Sequence, residues 1–330
     1  MATIKDVARH AGVSYTTVSH VLNKTRPVSG QARERVLAAA EALAYVPSAL
    51  ARSLRSKTTG SIGLIIPNNT NPYFSEVARG IEDSCYAAGY SVILCNSDDD
   101  PAKQRDYLNV LLTKRCDGLI VATLAHTDGE LLRKMKVPIV LLDRAPKNMD
   151  IDLVAVDNDA GGVLAAQHLL TLKRRHIACI AGPQGLDISI ERVAGLCRTL
   201  RDAGVSLPAN WLHHADFTSA GGYAAACTLL DQPELPDALF CCNDLMAIGA
   251  LRAAAERGIA VPQALAVVGF DDIDLAQFVH PPLTSVAQNT RRMGQLTAQC
   301  LLERIADPSR AVQRQTITPQ LHVRGSSQAS

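Results

Sequence analysis

The sequence predicts an all-α helix-turn-helix headpiece at the N-terminus, followed by an α/β body of two doubly wound, parallel-sheet lobes. Three observations indicate this division. Helical spacing with cap residues runs through the first 46 residues, short apolar runs alternate with helical stretches from Ser61 onward, and the charge changes sign between the two parts. Up to Lys57 there are nine Lys and Arg against three Asp and Glu, whereas the remainder has 24 against 29. A basic headpiece and an acidic body suit a protein of which only the first part meets phosphates.

Two short helices joined by a glycine-containing turn are predicted between Thr3 and Val21. Thr3 and Ser14 are N-cap candidates, because a hydroxyl can accept from an orphan N–H of the first helical turn. Gly12 tolerates the backbone of a tight turn. The polar residues predicted on the outer face of the second helix are Tyr15, Thr16, Thr17, Ser19 and His20. These side chains can reach base edges or phosphates if the helix lies in a major groove; any small helical hairpin is the alternative.

The rest of the headpiece is predicted as a polar loop and a third helix. The loop from Asn23 to Pro27 carries Lys24 and Arg26, which are candidate phosphate contacts. Ser29 can cap the third helix, which is expected from about Gln31 to Leu43. The apolar residues expected to pack on the first two helices are Val36, Leu37, Ala40 and Leu43. After Pro47 a short segment, ALARSLRS, is helical in pattern but too short to be stable alone.

The segments MATIKDVA, AGVS, TTVSHVLNKTRPVS and YVPSALARSLRSK resemble the headpiece of the LacI-type repressors, and the similarity continues to the C-terminus. The resemblance implies a cytoplasmic homodimer that binds a near-palindromic operator and represses transcription. It also implies that residues 47–58 form a hinge helix, which pairs with its copy in the minor groove and inserts Leu54 into a base step. The residues assigned to DNA are Thr3, Ser14, Tyr15, Thr16, Thr17, His20, Asn23, Lys24, Arg26, Leu54 and Arg55.

Short runs of Val, Ile and Leu alternate with helical stretches in the body. The predicted strands are SIGLIIP, YSVILCN, DGLIVA, VPIVLLD, HIACIAG, ALFCCN and ALAVVGF. The predicted helices span Ser75–Ala88, Lys103–Lys114, Asp128–Met135, Gly162–Leu172, Ile190–Ala203, Gly221–Leu230, Leu245–Arg257 and 290–306. Nearly continuous apolar strands between helices indicate parallel sheets that are covered on both faces. Ligands bind such sheets at the carboxyl ends of the strands, so a cleft between two lobes is the expected site.

The body also resembles the periplasmic sugar-binding proteins, in which the chain crosses between the lobes three times. We place the crossings near Asp157, Gln288 and Thr318. The headpiece is then expected at 1–46, the hinge helix and linker at 47–58 and the core at 59–330. The first lobe comprises about 59–157 plus 289–318, and the second comprises about 158–288 plus 319–330.

Ten polar or aromatic residues follow the expected strand ends and are predicted to bind an effector. They are Asn71, Tyr73, Phe74, Asp143, Arg144, Arg192, Phe217, Asn243, Asp271 and Gln288. Aromatic faces against a sugar ring, with carboxylates, amides and guanidinium groups for its hydroxyls, suit a polyol. The ten positions match the ribose contacts of the periplasmic ribose-binding protein, except that Tyr73 replaces a phenylalanine. Singly, each has a plainer interpretation: Asn243 as a helix cap, for example, or Asp143 and Arg144 as a surface ion pair.

D-ribose or a related pentose, acting as inducer, is therefore the predicted effector of a ribose or related sugar operon. The alternative is a purine- or nucleoside-responsive member of the family in which the ligand acts as corepressor. Three positions argue against purines. Asn243 stands where the purine-responsive repressors have glycine, and Leu186 and Ile188 stand where they have Arg and Thr. Neither side chain can pair with a purine edge.

Other classes of protein find little support in the sequence. There is no G-x-G-x-x-G, P-loop, G-x-S-x-G or His-rich zinc motif, so an enzyme is a remote alternative and no cofactor or metal is expected. The nine cysteines have no metal-ligand spacing and are interpreted mostly as reduced core residues. No signal peptide and no apolar run of about 20 residues is seen, which favours the cytoplasm.

Overall fold

The computed structural model describes residues 2–23, 25–45, 58–122, 132, 135–144 and 149–328. The chain forms two compact units, Met1–Thr59 and Gly60–Ser330. Three predictions lie outside the described residues. They are the hinge helix with Leu54 and Arg55, the phosphate contact Lys24, and nearly all of the helix at Asp128–Met135.

In its described residues, 2–23, 25–45 and 58–59, the N-terminal unit contains three helices around a small apolar core. They are α1 (Ile4–Ala11), α2 (Tyr15–Asn23) and α3 (Gly30–Ala42). Val7, Val18 and Val36, one from each helix, are completely buried and belong to the same apolar cluster. The helix-turn-helix prediction for the headpiece is therefore confirmed.

Three details of the headpiece prediction were wrong. Leu37 is 47% exposed, because it follows the fully buried Val36 and a helix turns by about 100° per residue. Ser19 is buried on the inner side of α2, where Asn23 donates to its carbonyl and hydroxyl oxygens. Ser29 precedes α3 but its side chain makes no cap hydrogen bond; only its carbonyl accepts, from the Arg33 N–H.

The C-terminal unit contains two six-stranded sheets, one in each lobe. Lobe 1 is defined here by the sheet with strand order β11-β5-β4-β3-β1-β2, and lobe 2 by the sheet β12-β10-β9-β8-β6-β7. The paired strands are parallel, except that β12 runs antiparallel to β10. The strands are β1 (Ser61–Ile66), β2 (Ser91–Asn96), β3 (Gly118–Val121), β4 (Ile139–Leu142), β5 (Asp152–Val156), β6 (Ile177–Ala181), β7 (Leu212–His214), β8 (Ala238–Cys241), β9 (Ala266–Asp271), β10 (Thr284–Ala287), β11 (Arg314–Ile317) and β12 (Gln320–His322). The predicted body of two doubly wound lobes is confirmed.

In the part of the chain that the structure describes, seven α-helices cover the sheets, with short 3₁₀ helices at Ala209–Trp211 and Asp274–Gln277. The α-helices are α4 (Pro72–Ala87), α5 (Pro101–Thr113), α6 (Asn158–Thr171), α7 (Asp187–Asp202), α8 (Ser219–Leu230), α9 (Asp244–Glu256) and α10 (Thr290–Ala306). Most begin one to four residues earlier than the apolar spacing predicts, because their first turns are capped polar segments. Asn71 and Asp100, for example, cap α4 and α5 and are each followed by proline at the first helical position.

The chain passes between the two sheets at three places. These are the β5–α6 junction at Asp157, the β10–α10 junction at 288–289, and the two residues 318–319 between β11 and β12. Helix α10 follows the second junction and packs on α4 and on the lobe 1 sheet. The three junctions and the carboxyl ends of the strands frame the cleft between the lobes.

Neighbouring helices approach each other closely at paired glycines. A Cβ atom on Gly162 in α6 would lie 2.1 Å from the Arg192 carbonyl oxygen, and one on Gly195 in α7 would lie 2.1 Å from the Asp159 carbonyl oxygen. Only glycine permits this contact, and it fixes the position of the helix that carries Arg192. Gly80 and Gly294 make the equivalent contact between α4 and α10.

Seven of the nine cysteines are buried and all nine are free thiols. Among the described residues, no helix has the length and apolar character needed to cross a membrane.

Candidate functional site

The start of α1 and the start of α2 are fixed by side-chain caps. The Asp6 N–H donates to Thr3 Oγ1 (3.3 Å), and Asp6 Oδ2 in turn accepts from the Thr3 N–H (2.9 Å). Gly12 ends α1 at φ +61°. Ser14 Oγ then accepts from the Thr17 N–H (3.1 Å) and lies 2.9 Å from the Thr17 hydroxyl. These caps fix the turn between the two helices and therefore the direction of α2 relative to α1.

The outer face of α2 is polar and accessible to solvent. Tyr15 is 53% exposed, Thr16 is exposed, and Thr17 and His20 are partly buried. His20 is held by a 2.7 Å hydrogen bond between its Nδ1 and the Thr25 hydroxyl, which leaves Nε2 directed away from that bond. Asn23 is the exposed last residue of α2, and Arg26 is exposed in the loop that follows. The described residues therefore offer hydroxyl, amide, imidazole and guanidinium groups on one surface.

Nine of the ten predicted effector residues line one cavity between the lobes. The cavity is lined by Asn71, Tyr73, Phe74, Asp143, Arg144, Ile188, Arg192, Phe217, Asn243 and Asp271. Ile188 is the one lining residue that was not predicted as a contact. Gln288, predicted as a contact, is not in the lining: it is fully buried and donates from Nε2 to Asp271 Oδ1. Among the described residues, Gln288 Oε1 has no hydrogen-bond partner.

Each lobe contributes an aspartate and an arginine to the cavity. In lobe 1, Asp143 and Arg144 follow β4, with Arg144 Nε 3.6 Å from Asp143 Oδ2. In lobe 2, Arg192 of α7 and Asp271 at the end of β9 lie with NH1 and Oδ1 3.9 Å apart. All four side chains are less than 8% exposed. The two pairs are buried parts of the site, and the alternative of a surface ion pair at 143–144 was wrong.

Arg192 is fixed by three further contacts in lobe 2. Its Nε donates to Asn158 Oδ1 (2.8 Å), its NH1 donates to the Cys242 carbonyl (2.6 Å), and its Cζ lies 3.8 Å from the centroid of the Phe270 ring. A guanidinium group held by oxygens and an aromatic face has little freedom left. Its remaining donors can be aimed at a ligand.

Asp143 shares its carboxylate with Tyr73. The Tyr73 hydroxyl donates to Asp143 Oδ1 (2.9 Å), and the Tyr73 ring meets the Phe74 ring edge-on with centroids 4.8 Å apart. Burial, followed by the charge of Asp143, holds the pKa of Tyr73 well above its usual value, so its hydroxyl stays a donor. The Tyr73 hydroxyl thus makes its hydrogen bond within lobe 1, and it occupies one acceptor site of the Asp143 carboxylate.

Asp271 is held in an unusual backbone conformation by a buried network. Its φ of +117° and the φ of +55° at Asp272 are rare for residues with a Cβ. Asp244, fully buried, accepts from the Ile273 N–H (2.9 Å) and from the Ser285 hydroxyl (2.6 Å), and Ser285 Oγ accepts from the Asp272 N–H (3.0 Å). This network directs the Asp271 carboxyl into the cavity.

Burial raises the pKa of Asp271 to about 7. Arg192 and the hydrogen bond from Gln288 oppose that shift, while the charge of Asp143 across the cavity adds to it. Near neutral pH this carboxyl group is therefore divided between its protonated and ionised forms.

Asn71, Asn243 and Phe217 form the polar and aromatic edges of the cavity. Asn71 and Asn243 are the N-caps of α4 and α9, accepting from the Tyr73 and Met246 N–H groups. Asn243 also donates to the Phe217 carbonyl (3.0 Å), which fixes Phe217 at φ +63°. The Phe217 ring fills the space beside Gly182, where a Cβ would lie 2.1 Å from it. Both interpretations of Asn243 hold, since it is a helix cap and lines the cavity.

The cavity itself is small in this structure, at about 20 Å³.

Comparison with known proteins places both units in one family. Residues 3–48 match the model for bacterial regulatory proteins of the lacI family, and residues 166–327 match a periplasmic binding protein-like domain. The HTH-type transcriptional repressor PurR of Photobacterium profundum is 40% identical, over 99% of this chain and 98% of its own length. The ribose operon repressor of Escherichia coli K12 is 43% identical, over 99% of this chain and 100% of its own length.

Two solved structures share the fold. The lac repressor dimer bound to operator and the anti-inducer ONPF is 29% identical, with a TM-score of 0.89 over 99% of both chains. A LacI family regulator of Enterococcus faecium with bound ribose is 32% identical, with a TM-score of 0.74 over 81% of this chain and 98% of its own. With relatives of this identity aligned over nearly the whole length, the chain belongs to the LacI family of bacterial transcriptional regulators.

Proposed function

We propose that this protein is a DNA-binding repressor of a ribose, or related sugar, utilisation operon, released from its operator when the sugar binds between the lobes. The observation that carries the proposal is the cavity in which an Asp–Arg pair from each lobe faces aromatic side chains. Carboxylates accept from sugar hydroxyls, guanidinium groups donate to sugar oxygens, and aromatic rings pack on the C–H faces of the sugar ring. A ligand held in this way would touch both lobes and so fix the angle between them.

The DNA-binding part of the proposal assigns α2 to the major groove. Tyr15 and Thr16 are proposed for base edges, because they are the exposed residues at the N-terminal end of the helix. Thr17, His20 and Arg26, and the predicted contacts Lys24, Leu54 and Arg55, complete the interface. A homodimer would place two such helices on a near-palindromic operator, as the lac repressor dimer binds its operator. The protein would act in the cytoplasm, bind sugar without converting it, and need no cofactor.

The proposed choice of a sugar over a purine depends on the lobe 2 wall. Ile188 lines the cavity and its apolar side chain offers no hydrogen bond to the edge of a base, and the buried Leu186 side chain, two residues earlier, offers none either. A purine would leave its ring nitrogens unpaired there, which costs about 1–3 kcal/mol for each buried polar group. The PurR relatives support the second candidate, a purine-responsive repressor whose ligand acts as corepressor.

Calorimetric titration of the protein separates these two candidates. We expect heat of binding with D-ribose, weaker binding of other pentoses, and none with hypoxanthine. Heat with hypoxanthine and none with ribose would overturn the sugar assignment and favour the purine-responsive function.

The pH dependence of ribose binding provides a second test of the site. A sugar hydroxyl donates to the ionised form of Asp271, so binding should lower the pKa of Asp271 from about 7 and release a proton. Ribose affinity should therefore rise by about tenfold between pH 6 and pH 8 and change little above that. Titrations at pH 7 in two buffers of different ionisation enthalpy would measure the released proton directly. Equal affinity at pH 6 and pH 8 would contradict this role of Asp271.

A further inference from the structure

Arg144 lines the cavity beside Asp143, and its guanidinium also bonds to a carboxylate outside the cavity, that of Asp99. Its NH1 donates to Asp99 Oδ1 at 3.0 Å, while its Cζ lies 5.8 Å from the centroid of the Phe74 ring. The Arg144 side chain is only 7% exposed, whereas that of Asp99 is 47% exposed. Asp99 does not line the cavity and was not predicted from the sequence.

We propose that Asp99 is a positioning residue, which holds the Arg144 guanidinium in its ligand-binding orientation before the effector arrives. The inference rests on the proposed effector site and adds to it a residue outside the cavity. A free arginine side chain loses considerable rotamer freedom when a ligand immobilises it. The ion pair with Asp99 removes most of that freedom in the unliganded protein.

The loop that carries Asp99 is rigid enough for this role. Asp98 and Asp99 both have left-handed backbone conformations, with φ of +54° and +55°, which aspartate adopts more readily than most residues with a Cβ. The Ser97 and Asp98 N–H groups donate to the Ile66 and Pro67 carbonyls at the end of β1, at 2.9 and 2.7 Å. The loop is thus anchored to the end of β1, an interior strand of the lobe 1 sheet.

The other end of the loop is anchored to α5. Asp100 caps the helix by accepting from the Ala102 N–H at 2.8 Å, and its own N–H donates to the Ser97 carbonyl at 2.9 Å. Asp98 meanwhile accepts from Asn96 and Lys103. None of these contacts involves a residue of the cavity, so the position of the Asp99 carboxylate does not depend on a bound ligand.

Asp99→Asn removes the charge while keeping the size and backbone preference of the side chain. Measured by calorimetry, it should weaken ribose binding by about 3- to 10-fold. In an Arg144→Lys background the same change should have no further effect, because lysine lacks the planar fork that Asp99 orients. Asp106→Asn, an exposed change of the same charge on α5, is the matched control and should bind ribose like the wild type. Unaltered ribose affinity in Asp99→Asn, or an equal loss in the Arg144→Lys background, would overturn the proposal.

A measurement without ligand keeps this inference separate from the proposed function. In ¹⁵N-labelled protein the Arg144 Nη1–H resonance, assigned by its absence from Arg144→Lys, should exchange with water several-fold faster in Asp99→Asn than in the wild type, because Nη1 is the nitrogen that donates to Asp99. Equal exchange rates would refute the positioning role whatever the effector is. If wild-type protein bound no ribose, the effector assignment would fail, and the exchange rates would still decide the role of Asp99.

Discussion

An Arg192→Leu variant is expected to bind the effector about 2–5 kcal/mol more weakly than the wild type, the largest effect of any single change in the cavity. The substitution removes the guanidinium that faces the ligand. It also leaves Asn158 Oδ1 without the Nε donor and the Cys242 carbonyl without the NH1 donor that they now have, and it takes from Asp271 its nearest positive charge. Calorimetric titration with ribose, on protein whose folding is checked by a thermal melt, measures the loss.

Two further variants show whether this effect belongs to the cavity. Arg198→Leu removes a 50% exposed arginine from the same helix, where it pairs with Asp159, and should leave ribose affinity unchanged. Arg192→Lys keeps the charge but not the fork-shaped donors, so it should still bind ribose at least tenfold more weakly than the wild type. Wild-type affinity in Arg192→Lys would show that the guanidinium geometry is not used.

Asp152→Ala is expected to lower the free energy of unfolding by about 3–5 kcal/mol, the largest loss of stability among the changes considered. The Asp152 side chain is 1% exposed and accepts from Arg304, Arg310 and the Gln313 N–H, at 2.7–3.0 Å. Alanine leaves two nearly buried guanidinium groups, 13% and 12% exposed, without their carboxylate. This cluster joins the start of β5, the end of α10 and the segment that leads to β11.

Urea denaturation measures that loss, with Asp150→Ala as the control. Asp150 is exposed two residues away, so its replacement should change stability by no more than about 0.5 kcal/mol. An Asp152→Ala protein as stable as the Asp150→Ala control would contradict the importance of the cluster.

The fold class was predictable from the sequence because the central strands are buried on both faces. Runs such as SIGLIIP and ALAVVGF become β1 and β9, with nearly every residue buried. Strands at the sheet edges lack this signal: β11 is RQTI, with alternate residues exposed, and β12 is only three residues long. The edge strands β7, β11 and β12 were accordingly not predicted. The interior strands β5 (DLVAV) and β10 (TSVA) were also missed, because neither contains a long run of large apolar residues.

The cavity was predictable because polar residues that follow strands converge where the strands end. Asp143 and Asp271 follow β4 and end β9, so sequence position alone places them at one edge of each sheet. The contributions that were missed come from tertiary geometry. Asp99 reaches Arg144 from 45 residues away, and Gln288 lies behind Asp271 instead of beside the ligand. The positive φ angles of Asp143, Phe217 and Asp271 also have no sequence signal, since none of the three is glycine.

Occupancy of the cleft is expected to control the affinity for operator DNA, and operator affinity measured with and without ribose tests this most directly. Fluorescence anisotropy with a duplex selected from random DNA, at one fixed salt concentration, gives both dissociation constants. Coupling of about 1–3 kcal/mol predicts that saturating ribose weakens operator binding by about 5- to 150-fold, and that operator weakens ribose binding by the same factor. Identical operator affinity with the cleft empty and with the cleft filled would contradict the account.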